Sequence, residues 1–312
     1  MSLFRELEDF EDLIDAAAER VAVDPVILEK DYWVSQILRV LTTQFPDDFI
    51  FKGGTSLSKC YGLIKRFSED VDILILPNGR GSSRLTNLMR AMAVACAREL
   101  GSDYQTLHAT DGQNRDVRIP YHAGRDRASR YERAVRLEMG KRGGENPHEM
   151  MDAGCLLSEI LSASGFDISL YADIEPVLVP VLHPARTLME KLAILHGRSL
   201  RHTSDTKHLR HYYDVYHLLG EDSVRERLAD RDEFGRVLES IQDVTERWFT
   251  VGDSPAEARP PDGWAASAAF DAADSYLQVE YQAAISELYL GKDQPVTFAE
   301  VCARVQEHAQ LL

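Results

Sequence analysis

The chain has 312 residues, 44% of them hydrophobic and 28% charged, with a formal net charge of −16. That length and balance suit one large or two modest globular domains with a real core, and no run approaches the roughly 20 apolar residues that cross a bilayer. Cys60, Cys96, Cys155 and Cys302 are scattered without a C-x-x-C pair, which argues against a zinc site or a disulfide scaffold and suits a reducing cytoplasm.

The first residues, MSLFRELEDFEDL, are amphipathic and acidic and do not read as a signal peptide. Two amphipathic helices are expected over 4–22 and 25–43, broken at Asp24-Pro25, where Asp24 caps and Pro25 takes the first helical position. The second carries Glu29-Lys30-Asp31-Tyr32-Trp33. Its stripe of Ile27, Tyr32, Val34, Ile37, Leu38 and Leu41 is core-like, and Glu29, Lys30 and Asp31 are expected as an exposed or ion-paired turn.

The stretch 49–76 reads as strand, glycine turn, helix, loop and strand. Phe49-Ile50-Phe51 is a β-type run stopped by Gly53-Gly54. Thr55 is placed to cap a helix whose apolar positions Leu57, Cys60, Tyr61 and Ile64 recur at helical spacing, ending at Arg66, Phe67 and Ser68. In the strand that follows, Asp70 and Asp72 fall on one face while Val71, Ile73 and Ile75 point to the core. Two like charges so placed repel unless a cation lies between them or one takes up a proton. Paired hard oxygens suit Mg²⁺, with Mn²⁺ as the alternative ion, and Mg²⁺ completes its shell from waters and substrate phosphates. The glycine turn opens a helix whose free N–H groups favour phosphate. Alone, a Gly-Gly turn is usually only a turn and D-x-D often a solvated strand end; together they form the pattern that phosphoryl or nucleotidyl transfer requires.

Downstream, Asn78–Ser83 is a loop and 83–100 a helix with Leu85, Leu88, Met92, Cys96 and Leu100 inward. Strands follow at 104–110, 115–122 and 132–140, the first two joined by a turn at Asp111-Gly112-Gln113-Asn114. In the last, Val135, Leu137 and Met139 share one face and Arg136 and Glu138 the other. Residues 141–147 form a loop, 150–163 a short helix, and 168–182 two more β-type runs. Pro184 opens a helix with Leu188, Leu192 and Leu195 as its buried stripe and Lys191 beside it. Residues 201–206 are a polar loop and 207–219 a helix whose His208, His211 and His217 lack the i, i+4 pairing of a zinc helix. Helices are expected over 222–250, 264–288 and 297–310, around a loop at 251–263. Arginines cluster between Arg115 and Arg142, 186–211 is again basic, and the tail beyond Glu221 is strongly acidic.

K-G-G-T-S-L-S-K with R-F-S-E-D-V-D-I resembles the AbiEii family of toxin nucleotidyltransferases, within the DNA polymerase β-like superfamily. T-L-M-E-K-L-A-I-L-H-G-R and R-H-Y-Y-D-V-Y-H-L resemble its later motifs, and E-K-D-Y-W its N-terminal helix beside the nucleotide. The resemblance covers about residues 25–220, four motifs in the expected order. It implies an α+β fold, a mixed nucleotidyltransferase sheet flanked by helices over 1–183, with a helical part at 184–312 that completes the site. It implies a nucleoside triphosphate held by Gly53, Gly54, Thr55, Ser56 and Lys59, with Arg66 and Ser68 setting the loop before the carboxylates or touching phosphate. Asp70 and Asp72 are the metal ligands it implies, with Glu138, on an adjoining strand, as the third. Lys191 is implied as the phosphate-neutralising cation, and Asp214 as a carboxylate orienting Lys191 or Arg210. The function implied is NMP transfer to an acceptor, tRNA 3′ ends in particular, by a toxin paired with a DNA-binding antitoxin. The segment 115–142 would suit an acceptor stem. Transfer to a protein side chain and a non-catalytic nucleotide-binding regulator are the alternatives.

Overall fold

A computed structural model describes residues 2–68, 70–122, 125, 127–201, 206–248, 250–251 and 254–312. Among them no helix is long and apolar enough to cross a membrane. The expected loop at 201–206 lies outside the described residues at 202–205, as does Glu69 of the central motif. The chain divides into two compact units. One is Met1–Gly62, Ser68–Lys141 and His148–Val181; the other is Leu63–Phe67, Arg142–Pro147 and Leu182–Leu312. The division read from the sequence, at 183/184, has no counterpart to the two short segments that the second unit draws from the first half of the chain.

The first unit opens with a 3₁₀ turn at Phe4–Glu6, then α1 (Phe10–Val21) and α2 (Pro25–Gln44). Asp24 Oδ1 accepts from Val26 N at 2.9 Å, and Pro25, which has no N–H to satisfy, starts α2. There follow β1 (Phe49–Lys52), α3 (Gly53–Lys59), β2 (Asp70–Ile75), α4 (Ser82–Glu99), β3 (Gln105–Thr110), β4 (Asn114–Pro120), β5 (Ala134–Gly140), β6 (His148–Ala153), α5 (Leu156–Ala163) and β7 (Val177–Leu182). The seven strands form one sheet in the order β3-β4-β5-β2-β1-β7-β6. β2 runs antiparallel to β1 and parallel to β5, and β5 antiparallel to β4, so the sheet is mixed. Val71, Ile73 and Ile75 meet Leu137, Met139, Val117 and Ile119 in one buried cluster with Tyr32, Ile37 and Leu41 of α2 and Met89, Met92 and Cys96 of α4. Helices therefore seal one face of the central strands; the other carries Asp70, Asp72, Lys52 and Glu138 together with the buried pair Ile50 and Leu74.

The structure corrects several local expectations. Thr55 is not a cap: α3 starts at Gly53 and ends at Lys59, and Gly62, at φ 64°, turns the chain away before Ile64. The 150–163 helix is instead β6 followed by α5, because the stretch joins the sheet edge first. Residues 168–182 hold a 3₁₀ turn (Ile168–Leu170) and a single strand, β7. Of the two forms expected for Glu29, Lys30 and Asp31 the ion-paired one is found, Asp31 meeting Lys59 at 2.7 Å and Glu29 facing Arg127 at 3.6 Å, and Glu29 and Lys30 are buried because α2 is covered on nearly every side. Lys30 Nζ donates to the Glu132 carbonyl at 3.2 Å.

The second unit is helical: α6 (Pro184–Arg201), α7 (Arg210–Gly220), α8 (Asp222–Ala229), α9 (Arg231–Trp248), α10 (Ser275–Leu288) and α11 (Phe298–Glu307). Two 3₁₀ turns, Trp264–Ala266 and Ala268–Phe270, occupy the start of the stretch expected as a 264–288 helix. At its centre Tyr212 meets Phe270, Tyr281 and Phe298 edge to face. The segment 63–67 lies within this unit: Phe67 N donates to Leu288 O at 2.7 Å, Leu290 N to Lys65 O at 2.9 Å, and Lys65 N to Tyr213 Oη at 3.2 Å.

Candidate active site

On the polar face of the first unit's sheet, register decides which side chains meet. Asp72 of β2 lies opposite Lys52 of β1 and Glu138 of β5, and Glu138 lies opposite Asp116 of β4. Asp70 lies opposite Arg136. Cross-strand partners share a face, so Asp70, Asp72 and Glu138 are gathered on one patch. Their neighbourhood is electrostatically crowded. Burial, then the Asp72 and Asp70 carboxylates, push the Glu138 carboxyl up to about 8, and a hydrogen bond with Asp72 favours its neutral form further. Arg136 opposes this, its Nη2 lying 2.9 Å from Glu138 Oε1 and 3.4 Å from Asp116 Oδ2. Arg136 and Asp116 were not singled out by the sequence; the signal was the alternation that puts Arg136 on the face of Glu138.

The glycine turn sits against this patch. Gly53 has φ 79°, and a Cβ there would stand 2.2 Å from Asp72 Oδ2. Only glycine allows both the left-handed backbone and the approach of the carboxylate. Thr55 Oγ1 lies 2.5 Å from the Asp70 carbonyl and 2.9 Å from Ser68 Oγ, so the first turn of α3 is tied to the start of β2. Gly54 is buried, and Ser56 Oγ donates to Gly53 O at 2.9 Å within the turn. Lys59 sits differently: its Nζ meets Asp31 Oδ1 at 2.7 Å, Ser35 Oγ at 2.9 Å and the Gly154 carbonyl at 2.9 Å, with the side chain 4% exposed.

The remaining predicted residues lie in the second unit. Asp214, fully buried, takes Arg66 side-on: Nε to Oδ1 and Nη2 to Oδ2, both at 2.7 Å. Its Oδ2 also meets Lys191 Nζ at 2.9 Å. Burial alone would raise the Asp214 carboxyl, but Arg66 and then Lys191 hold it well below the usual range. Burial lowers the Lys191 ammonium, Asp214 partly restoring it. Lys191, one of the two cations expected at Asp214, meets it at 2.9 Å, and Arg66 joins from 148 residues away.

The donor set of the patch fits a divalent cation. Asp70, Asp72 and Glu138 supply only hard oxygens, and the charge they crowd together is what such an ion relieves. Among the described residues no three His, Cys, Asp or Glu side chains are already closed into a metal-holding group; Glu138 is turned to Arg136. The arginines of 115–142 are largely paired within the first unit: Arg118 with Glu132, Arg125 with Asp12 and Asp15, Arg127 with Glu11 and Asp15.

Comparison with known proteins bears on this geometry. The family model described as nucleotidyl transferase AbiEii toxin, type IV TA system, matches residues 36–304. Among solved structures, the fold is similar to MenT4, a nucleotidyltransferase toxin from Mycobacterium tuberculosis H37Rv, with a TM-score of 0.58 and 20% identity, covering 96% of this chain and 88% of that one. Among curated proteins none matches.

Proposed function

The chain belongs to the AbiEii nucleotidyl transferase toxin family of type IV toxin–antitoxin systems, and from that premise we propose a Mg²⁺-dependent transfer of NMP from an NTP to the 3′ hydroxyl of an RNA, tRNA in particular. One observation carries this reading: three carboxylates crowded on adjacent strands, strongly enough to hold Glu138 up to about 8, beside a glycine that alone could fit against Asp72. Such a patch needs a proton or a cation to offset its charge, and a divalent ion is what would replace the proton on Glu138.

Asp70 and Asp72 are the residues that would hold the ion, with Glu138 completing a second position for the acceptor hydroxyl. Bound Mg²⁺, or Mn²⁺ in its place, supplies Lewis-acid polarisation of phosphate oxygens and offsets their charge. The acceptor oxygen forms its bond to the α-phosphorus as the bond to the bridging oxygen breaks, and pyrophosphate leaves. Gly53 and Gly54 keep the turn free of side chains where phosphate approaches. Thr55 and Ser68 hold that turn in step with β2, and Ser56 braces it. Lys191 neutralises phosphate charge, oriented by Asp214, and Arg66 supports Asp214 rather than touching phosphate itself.

An RNA acceptor is supported by arginines of the segment 115–142. Arg125 and Arg118 stand at 48% and 30% side-chain exposure, and solvent-screened surface ion pairs of that kind are weak enough to be exchanged for phosphates. The same pairing, with a net charge of −16, favours a second reading in which the acceptor is a protein side chain. The non-catalytic regulator is set aside, since the family is one of transferases and each expected carboxylate is present. A cognate antitoxin and a cytoplasmic setting belong to the same proposal.

The test is incubation of the purified chain with each α-labelled NTP, MgCl₂ and whole-cell extract, followed by separation of labelled RNA from labelled protein. Label in RNA, ending at tRNA 3′ termini, supports the reading; label in protein selects the second. Asp70→Ala should abolish labelling while the melting curve stays cooperative, and full labelling by that variant would sink the mechanism.

A further inference from the structure

The buried cluster of the second unit contains two imidazoles that the reading above leaves without a task. Lys191 Nζ lies 2.9 Å from Asp214 Oδ2 and 3.2 Å from His211 Nδ1. His211 Nε2 lies in turn 3.2 Å from His208 Nδ1. An ammonium has three N–H donors and no acceptor, so at the first imidazole contact the lysine donates and Nδ1 offers its lone pair. A neutral imidazole carries one N–H, which places the His211 proton on Nε2, donated to His208 Nδ1.

We propose that His211 is a positioning residue for Lys191, with His208 holding the tautomer, so that two of the three ammonium protons are fixed on Asp214 and His211 and the third is left for an anionic oxygen of the triphosphate. This rests on the reading of Lys191 as the phosphate-neutralising cation. The charge count of the cluster points the same way. Among the described residues, the ion pairs of both Arg66 and Lys191 end on Asp214, one carboxylate for two buried cations. A buried positive charge without its match is costly, and an anionic ligand supplies the match.

The cluster also keeps His211 neutral. Burial first, then Lys191, hold its ring well below the usual range, with Asp214 pulling the other way and His208 adding to the depression. The titratable groups facing it are Lys191 from α6, Asp214 from its own helix α7 and His208 from the preceding turn, with Arg66 paired to Asp214 and Arg210 adding its charge at Lys191. A proton on Nδ1 would remove the acceptor and set a second cation against Lys191. Triphosphate binding is therefore lost as pH falls through the depressed value.

The experiment is calorimetric titration of the full chain with MgATP, MgGTP, MgCTP and MgUTP from pH 5 to 8, alongside thermal melts. His211→Ala should weaken binding of the preferred NTP roughly tenfold or more, the scale of a hydrogen bond to a charged group. His211→Asn offers an Oδ1 near the place of Nδ1 and has no ring to protonate. It should restore affinity and hold it to lower pH than the wild type. His208→Ala should give a smaller loss of the same kind. Wild-type affinity in His211→Ala overturns the proposal. So does a His211→Asn variant as weak as His211→Ala, or one whose affinity falls with pH as the wild type does. Lys191→Ala separates the two levels: if it binds NTP normally, the reading of Lys191 itself fails; if it loses binding while His211→Ala does not, only the role of His211 fails.

Discussion

Glu138 titrates against its own neighbours as much as against water. Its carboxyl stands at about 8 because burial, Asp72 and Asp70 all disfavour its charge, with Arg136 opposing. In an unfolded chain a glutamate titrates near about 4.3. A folded-state value above the unfolded one means that the group's contribution to stability is complete below the lower value and is lost as pH rises through the higher. The metal-free chain should therefore become less stable between about pH 5 and pH 8 through this group. Where a divalent cation enters the patch it replaces that proton, so binding releases a proton and its affinity climbs with pH until about 8. Thermal melts with and without MgCl₂ at pH 6 to 9 should show a metal-induced rise in Tm that grows with pH. In Glu138→Gln that growth should vanish. A metal effect equal at all pH values in the wild type would place the ion elsewhere.

Between elements, the first unit is tied together by polar anchors that the sequence does not advertise. Lys59 is the case that separates readings. Its position after the glycine turn suggests a nucleotide contact, yet its ammonium links α3 to Asp31 and Ser35 of α2 and to the carbonyl of Gly154 ahead of α5. Removing one partner of a buried pair strands the other, at about 3–5 kcal/mol for full burial and less here, since Asp31 keeps 17% exposure. Lys59→Met should lower Tm by several degrees while the KM for NTP, measured on folded protein, stays within about twofold. A large rise in KM with an unchanged Tm would return Lys59 to the nucleotide. The same contrast shows what could be read in advance. Alternation along β2 told which way Asp70 and Asp72 point, because a strand's period is a local property. The partnership of Asp72 with Glu138 depends on β5 pairing parallel to β2, and that of Arg66 with Asp214 spans 148 residues; neither leaves a local trace. The end of α3 is hidden in the sequence because apolar spacing continues to Ile64, while the backbone at Gly62 has already left the helical region. The sequence does not mark β6 as a strand because His148-Glu149-Met150-Met151-Asp152-Ala153 shows no apolar alternation, although burial along this short edge strand does alternate.

At the scale of the whole chain, the helical part draws on residues that precede 183/184. Its compact unit includes Leu63–Phe67 and Arg142–Pro147. The first of these crosses α7 and α10 through four backbone or side-chain links: Phe67 to Leu288, Leu290 to Lys65, Lys65 to Tyr213, and Arg66 to Asp214. The second meets α6 where Arg186 Nη1 donates to the Asn146 carbonyl at 2.7 Å, and a Cβ at Gly144 would stand 2.3 Å from Arg186 Nη2. A fragment of residues 184–312 keeps α6 to α11 but loses both segments. Asp214 would then keep Lys191 and His211 but lose the arginine that donates to both of its oxygens. Breaking a buried pair by removing one partner costs about 3–5 kcal/mol, and a domain's whole stability is about 5–15 kcal/mol. The fragment should therefore show helical far-UV signal without a cooperative melt. Arg66→Met in the full chain should lower Tm through the same loss, while leaving the carboxylate patch of the first unit able to bind metal. Should residues 184–312 alone melt as a single sharp transition, the strap of 63–67 is an accessory to a domain that already stands by itself.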